Sequence, residues 1–88
     1  MKTESAEPTT VGEMISEEFL QLLSMSPYNL ADLMGIHYNR IENILTNSEK
    51  IDRNEGLILA RVFNTDSNFW NSLQENYDNW ATKNNHYK

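Results

Sequence analysis

Apolar residues recur along the chain at intervals of three and four, which is the spacing of one face of an α-helix. The longest such run lies toward the carboxyl end, where a broad apolar face is formed by Phe69, Trp70, Leu73, Tyr77 and Trp80. No run of β-branched residues alternates with polar ones, and the 88 residues include only three Gly and two Pro. The pattern therefore predicts an all-α protein rather than a β-sandwich or barrel.

Residues suited to helix ends divide this pattern into five predicted helices. Ser, Thr and Asp side chains cap a first turn by accepting a backbone hydrogen bond. Such residues stand before four of the apolar runs, at Thr10, Ser26, Asp52 and Asp66. The remaining helix, the third along the chain, is predicted from about His37 to Thr46. It lies between Gly35 and Asn47, which both tolerate the positive φ of a helix end.

Each helix is expected to bury one apolar stripe. In the first helix the stripe comprises Met14, Ile15, Phe19, Leu22 and Leu23. In the second it comprises Leu30, Leu33 and Met34, and in the third Ile41, Ile44 and Leu45. Stripes of this kind pack helices around a common core, so a chain of this length is expected to form one domain.

Composition narrows the class of function. The chain has no cysteine, which excludes disulfides, thiolate metal sites and Cys nucleophiles and fits a cytoplasmic location. His37 and His86 are too few and too far apart for a metal site, and no serine has a suitable base nearby. We therefore expect neither an enzyme nor a cofactor. No apolar run reaches the roughly 18–20 residues of a membrane span, and the polar amino terminus does not resemble a signal peptide.

The net charge of −6 is unevenly distributed, because residues 1–23 carry −4 of it. Residues 1–9 are expected to form a flexible arm, residues 10–82 the folded domain and residues 83–88 a frayed tail. The densest acidic face lies on the first helix, at Glu13, Glu17 and Glu18. Such a face attracts a basic protein partner and repels nucleic acid.

The second and third predicted helices have the features of a helix-turn-helix. Ala31 is small where the helices would cross, and Gly35 allows the chain to turn. Ile36 and Ile41 are apolar where the angle between the helices must be fixed. The outward residues of the third helix would then face a DNA major groove, as candidate base readers: His37, Tyr38, Asn39, Arg40 and Asn43. The alternative is a solvated helix face on which Arg40 pairs with a carboxylate.

Four further segments carry a family resemblance: GEMISEEFL after the arm, NRIENIL in the third helix, LARVFNT, and FWNSLQENYDNW near the end. With these motifs the chain resembles HigA-type antitoxins, a family also known as virulence-associated protein I, from residue 10 to about residue 82. The resemblance implies a five-helix bundle of the lambda-repressor-like helix-turn-helix type. It also implies an antitoxin that neutralises a basic RelE-like ribonuclease toxin and, as a homodimer, binds operator DNA to repress its own operon.

Three surfaces follow as predictions from the residues and the resemblance together. The DNA-binding set adds two residues of the loop after the third helix, Ser48 and Lys50, to the outward residues of that helix. The late aromatic face is assigned to the dimer interface, as Phe69, Trp70, Leu73, Tyr77 and Trp80, with a place in the core as the alternative. The toxin-binding set is Glu13, Glu17 and Glu18, with a solvated face as the alternative. Neither a small-molecule substrate nor a membrane is expected as a partner.

The chain departs from its relatives at positions that bear on DNA binding. Pro27 stands where relatives usually carry Gln, and Tyr38 stands where many carry Arg. The loop TNSEKI has one Lys, where relatives often have Gly-Lys or Gly-Arg. Each change removes phosphate contacts, which predicts operator binding that is weak, salt-sensitive or helped by the basic toxin. Two alternatives stay open: an interaction-only helix-turn-helix module, and a phage-type transcriptional regulator without a toxin partner.

Overall fold

The computed structural model describes residues 7–85, which form five helices and no strand. In chain order, α1 spans residues 11–23, α2 Pro27–Met34, α3 Tyr38–Leu45, α4 Arg53–Phe63 and α5 Phe69–Asn85. The predicted all-α class and the number of helices are confirmed. Residues 1–6 of the predicted arm and residues 86–88 of the predicted tail, including His86, lie outside the described residues. No helix within residues 7–85 combines the length and the apolar character needed to span a membrane.

Capping boxes begin three of the helices, at the predicted residues Thr10, Ser26 and Asp52. At the first, Thr10 Oγ1 accepts from the Glu13 N–H across 3.0 Å, and Glu13 Oε1 accepts from the Thr10 N–H across 3.1 Å. The start of α5 differs, because this helix begins three residues after Asp66. The Asp66 carboxylate instead accepts from the Asn68 N–H in the preceding turn, a local bond that competes with capping. At its other end α5 continues three residues past the predicted boundary at residue 82.

A π-helical turn in α1 changes which of its residues face the core. The helix is α-helical over Val11–Met14, π-helical over Ile15–Leu20 and α-helical again over Gln21–Leu23. A π turn accommodates an extra residue, so the buried positions are spaced by four and then by five: Val11, Ile15 and Leu20. Leu22 and Leu23 are 75% and 56% exposed. Their assignment to the buried stripe was wrong, because the extra residue rotates the last turn of α1.

The turn between α2 and α3 is set by Gly35, which ends α2 with a φ of 73°. The Ile36 N–H donates to the carbonyl of Ala31 across 3.0 Å and closes this turn. The buried stripe of α2 is Leu30, Ala31 and Met34. Leu33 is 57% exposed, so its predicted place in the stripe was wrong. Counting Leu30 as position i, the stripe consists of positions i, i+1 and i+4 of the helix. Leu33 is position i+3, which lies on the opposite side of Leu30 from Ala31.

The start of α1 packs closely against the end of α3 at Gly12. A Cβ atom at this position would lie 2.5 Å from the carbonyl oxygens of both Ile44 and Leu45. Backbone atoms cannot move aside as a flexible side chain can, so a glycine is required for the two helices to approach this closely. Through this contact α1 supports the carboxyl end of α3.

All five helices contribute to the hydrophobic core, whose fully buried side chains are Ile15, Leu30, Ile41, Ile44, Leu59 and Trp70. The ring of Trp70 lies 5.3 Å from that of Phe19 and 5.8 Å from that of Phe63, measured between centroids. Its indole N–H donates to Thr65 Oγ1 across 3.0 Å, so the one polar group of the side chain is satisfied. This aromatic cluster joins α1, α4 and α5.

Candidate DNA-binding surface

The outward side of α3 forms a shallow depression of about 650 Å³. Its lining consists of His37, Tyr38, Asn39, Arg40, Asn43 and Glu49. We call this region the α3 surface. Five of the seven predicted DNA-binding residues lie together here, because they are outward side chains at the start and along one face of a single helix. Their part in DNA binding stays a prediction.

Asn39 and Asn43 present their side-chain amides on the α3 surface. Within residues 7–85, no hydrogen bond engages either amide group. An asparagine amide offers both a donor and an acceptor, the combination that pairs with the major-groove edge of adenine. These two side chains are therefore the ones best placed to read bases.

Arg40 is held by hydrogen bonds to neighbouring protein groups. Its Nε donates to Glu55 Oε2 across 2.8 Å, and its Nη2 donates to Glu55 Oε1 across 2.6 Å. Its Nη1 donates to Glu49 Oε1 across 2.5 Å, and Nη2 also donates to the Lys50 backbone carbonyl across 2.9 Å. A guanidinium that binds one carboxylate through two nitrogens is strongly held. The sequence left two roles open for Arg40, base readout or pairing with a carboxylate. The structure contains the carboxylate pairing.

This pairing also determines the charge beside the α3 surface. Glu55 is buried, and its hydrogen bonds from Arg40 hold the pKa of its carboxyl below the ordinary value, although burial acts in the opposite direction. The hydrogen bond to Glu55 raises the pKa of Arg40 in return. Because one arginine faces Glu49 and Glu55, the three side chains together are negative and offer no spare cation to a DNA phosphate.

Tyr38 stacks on Tyr28, a residue of α2 that the sequence reasoning did not select. The ring centroids are 4.0 Å apart and the ring planes differ by 9°. Tyr28 is 63% exposed, whereas Tyr38 is half-buried. Burial raises the pKa of Tyr38, with a further contribution from Tyr28, so the Tyr38 hydroxyl is neutral at physiological pH. The signal in the sequence was a pair of aromatic residues at the starts of two helices that a helix-turn-helix brings together.

Ser48 and Lys50, the other two predicted DNA-binding residues, lie in the loop between α3 and α4 and outside the lining of the depression. The Ser48 hydroxyl is 2.9 Å from that of Thr46. The Lys50 ammonium is 3.5 Å from Oδ2 of Asp78 on α5, and its side chain is 69% exposed. An exposed pair of this length is weak, so the ammonium can exchange it for another anion.

A second groove, of about 380 Å³, lies between α1 and the start of α5. Its lining includes the three predicted toxin-binding residues, Glu13, Glu17 and Glu18, together with the apolar side chains of Met14, Phe19 and Phe69. We call this region the acidic groove. It combines exposed negative charge with aromatic and methionine side chains, and the latter two kinds of residue are enriched at protein interfaces. Toxin binding at this groove stays a prediction.

The late aromatic face does not form a single outward surface. Trp70 has no exposed area and belongs to the core, so its predicted place in a dimer interface was wrong. The apolar residues cover a broad face of α5, and the part of this face that carries Trp70 is turned toward the core. Phe69, Leu73, Tyr77 and Trp80 are half-buried, with the rings of the last two 5.6 Å apart. For these four residues the dimer interface stays a prediction.

The chain is similar to known proteins over most of its length, although a comparison with protein-family models gave no match. It is 41% identical over 78 residues to an uncharacterized HTH-type transcriptional regulator of Haemophilus influenzae, covering 89% of this chain and 73% of that protein. It is 31% identical to antitoxin HigA-1 of Vibrio cholerae, covering 96% of this chain and 79% of the antitoxin. The chain belongs to the HigA-type antitoxin family.

The fold of this HigA-family chain also matches a solved structure of Pseudomonas aeruginosa antitoxin HigA with the higBA promoter. The TM-score is 0.82 at 28% identity, over 91% of this chain and 88% of that one. The resemblance seen in the sequence motifs and the lambda-repressor-like helix-turn-helix fold are thereby confirmed. The relatives are antitoxins and transcriptional regulators, so the prediction that the HigA-family chain is not an enzyme is confirmed as well.

Proposed function

We propose that this HigA-family chain binds operator DNA through the α3 surface and represses its own operon. The observation that carries the proposal is the pair of amides, on Asn39 and Asn43, that α3 presents on the outward side of the helix-turn-helix. In this motif the second helix enters the major groove and its outward side chains contact base edges. The promoter bound in the structure of the Pseudomonas aeruginosa relative supports the same use of the fold.

The proposed recognition depends on neutral groups more than on cations. The α3 surface carries two asparagines and a tyrosine, while Arg40 is committed to Glu49 and Glu55. Affinity for any DNA grows with the number of phosphates that cations neutralise. We therefore expect weak binding to unrelated DNA, so that most of the discrimination comes from base contacts.

The active form in this proposal is a homodimer joined partly through α5. A two-fold dimer would place two α3 helices about 34 Å apart, one turn of DNA. Four half-buried apolar side chains of α5 are available for the contact: Phe69, Leu73, Tyr77 and Trp80. Light scattering at micromolar concentration is expected to give twice the chain mass, and a single species of 10.3 kDa would contradict the dimer.

We further propose that the chain neutralises a basic RelE-like ribonuclease toxin in the cytoplasm, with the acidic groove as its docking site. A protein that holds RNA must be basic, so it gains from an acidic partner surface. Glu17 and Glu18 supply exposed charge at the groove, and Met14 and Phe19 supply apolar contact. The α3 surface and the acidic groove share no lining residue, so one dimer could bind DNA and toxin together.

DNA binding is tested by fluorescence anisotropy with the duplex upstream of the chain's own gene and a scrambled duplex of equal length. Asn39→Ala and Asn43→Ala are each expected to reduce discrimination between the duplexes by about 1–3 kcal/mol, the value of a good base contact. Lys50→Ala is the matched control, since loss of a phosphate contact should weaken binding to both duplexes alike and reduce the salt dependence of binding. Unchanged operator affinity in both asparagine variants would show that α3 is not the reader.

An interaction-only module is the second candidate, and the charge of the chain favours it. The net charge is −6, and Arg40 is occupied by two carboxylates. Such a module would bind the toxin but neither duplex in the titration above. A phage-type regulator without a toxin would give the opposite result, with operator binding and no toxin complex.

A further inference from the structure

We propose that the stacked pair of Tyr28 and Tyr38 reads a thymine methyl group in the major groove of the operator. The inference rests on the proposed function, because it assigns one base contact within the same DNA-binding surface. It adds Tyr28 to the residues that determine specificity, and it names the chemical group that this part of the surface recognises.

The stack lies where the amino-terminal ends of α2 and α3 meet. Tyr38 is the first residue of α3 and lines the α3 surface, and Tyr28 is the second residue of α2. In a helix-turn-helix the first helix crosses the DNA backbone, while the amino-terminal residues of the second contact base edges. The two nearly parallel rings therefore form a wall that extends from the backbone toward the bases.

The ring faces of the stack are the apolar part of a surface that is otherwise polar. The remaining lining residues are His37, Asn39, Arg40, Asn43 and Glu49. Thymine is the base that presents an apolar group in the major groove, its C5 methyl, whereas the other edges offer donors and acceptors. A ring wall gains contact area from a methyl group but leaves a polar edge without a hydrogen-bond partner. The chemistry of the wall thus selects thymine.

The exposure of Tyr28 indicates that the stack does more than join two helices. The side chain is 63% exposed, although an aromatic ring gains free energy from burial. α2 and α3 already contribute the fully buried Leu30 and Ile41 to the core, and the turn at Gly35 joins the two helices. Stacking also restricts both rings to one orientation before DNA arrives, which reduces the entropy lost on binding.

The test begins with selection of duplexes from a random library by the full-length chain. Each thymine of the selected duplex is then replaced singly by deoxyuridine, which lacks only the C5 methyl. We expect one thymine in each half-site whose replacement weakens binding about threefold to fivefold, the effect of losing one buried methyl group. In Tyr38→Ala and in Tyr28→Ala the same replacement should have little effect, while the phenylalanine variants at both positions should retain it.

Asn39→Ala is the matched control on the same surface. It should lower affinity for the selected duplex and still show the full effect of deoxyuridine, because an amide does not form the ring wall. Thermal unfolding of each variant checks its fold, and the deoxyuridine series on the unmodified chain depends on no variant. Tight binding that no single deoxyuridine weakens would overturn the inference alone. Failure to select any duplex would overturn the proposed function, and the inference with it.

Discussion

Arg40 connects α3 to α4 through the buried carboxylate of Glu55. The same carboxylate makes a second interaction: its Oε1 accepts from the Asp52 N–H across 2.9 Å, which completes the capping box of α4. Loss of the arginine would therefore leave the buried carboxylate that completes this capping box without its cation. Removal of one partner from a buried ion pair costs more than the pair contributes, because the remaining charge is left unpaired.

We expect the stability that this pair confers to be lost in acid. The pKa of Glu55 is lowered in the folded state, so the contribution is fully present above the ordinary glutamate pKa of about 4.3 and is lost as pH falls through the lower, folded value. Urea unfolding at pH 7 and pH 3 measures this contribution to the free energy of unfolding. Arg40→Met should lose about 2 kcal/mol at pH 7 and show a smaller pH dependence. Lys50→Met, at an exposed pair, should change the free energy of unfolding by less than about 0.5 kcal/mol.

At the scale of the elements, the position of α3 depends on how closely α1 approaches it. Gly12→Ala should destabilise the fold by about 1–3 kcal/mol, because the added methyl meets two backbone carbonyls. Gly35→Ala is the comparison, since nothing lies within 4 Å of its Cβ and only the positive φ opposes it, at about 1 kcal/mol. The midpoints of urea unfolding rank the two variants. A Gly12→Ala chain as stable as the original would mean that α1 and α3 can separate without cost.

The starts of α1, α2 and α4 could be predicted from the sequence because capping is a local interaction. Thr10, Ser26 and Asp52 each pair with the residue three positions later, and the sequence displays both partners. The outward face of α3 followed in the same way from helical spacing. The positive φ of Asn47 at the end of α3 was also predictable, since asparagine tolerates that conformation.

Features that depend on contacts between helices could not be predicted. The π turn has no signature in the apolar spacing of α1, and it left Leu22 and Leu23 wrongly assigned. Trp70 was assigned to an interface because periodicity gives the apolar face of a helix but not which part of that face is covered. Tyr28 was missed because its partner, Tyr38, is ten residues away and on another helix.

At the scale of the whole molecule, the distribution of charge bears on the two proposed partners, which carry opposite charge. We expect Glu17→Lys combined with Glu18→Lys to slow association with a basic toxin about tenfold at low ionic strength, with the effect fading as salt increases. Stopped-flow mixing measures the association rate. The control is Asp32→Lys combined with Glu75→Lys, which changes the net charge equally at exposed positions of α2 and α5. If the Glu17 and Glu18 double variant associates no more slowly than the control, the toxin docks elsewhere, on α5 or the tail.

The π turn of α1 has a consequence for comparing this chain with its relatives. An inserted residue is what distinguishes such a turn from a regular one. A relative whose first helix is regular throughout would therefore be one residue shorter between Ile15 and Leu20. If the two sequences were aligned without a gap, every residue on one side of the turn would be paired with the wrong residue of the relative, one position out of register. Since Glu17 and Glu18 lie inside the turn, charges at the acidic groove should be matched by superposed coordinates rather than by aligned letters.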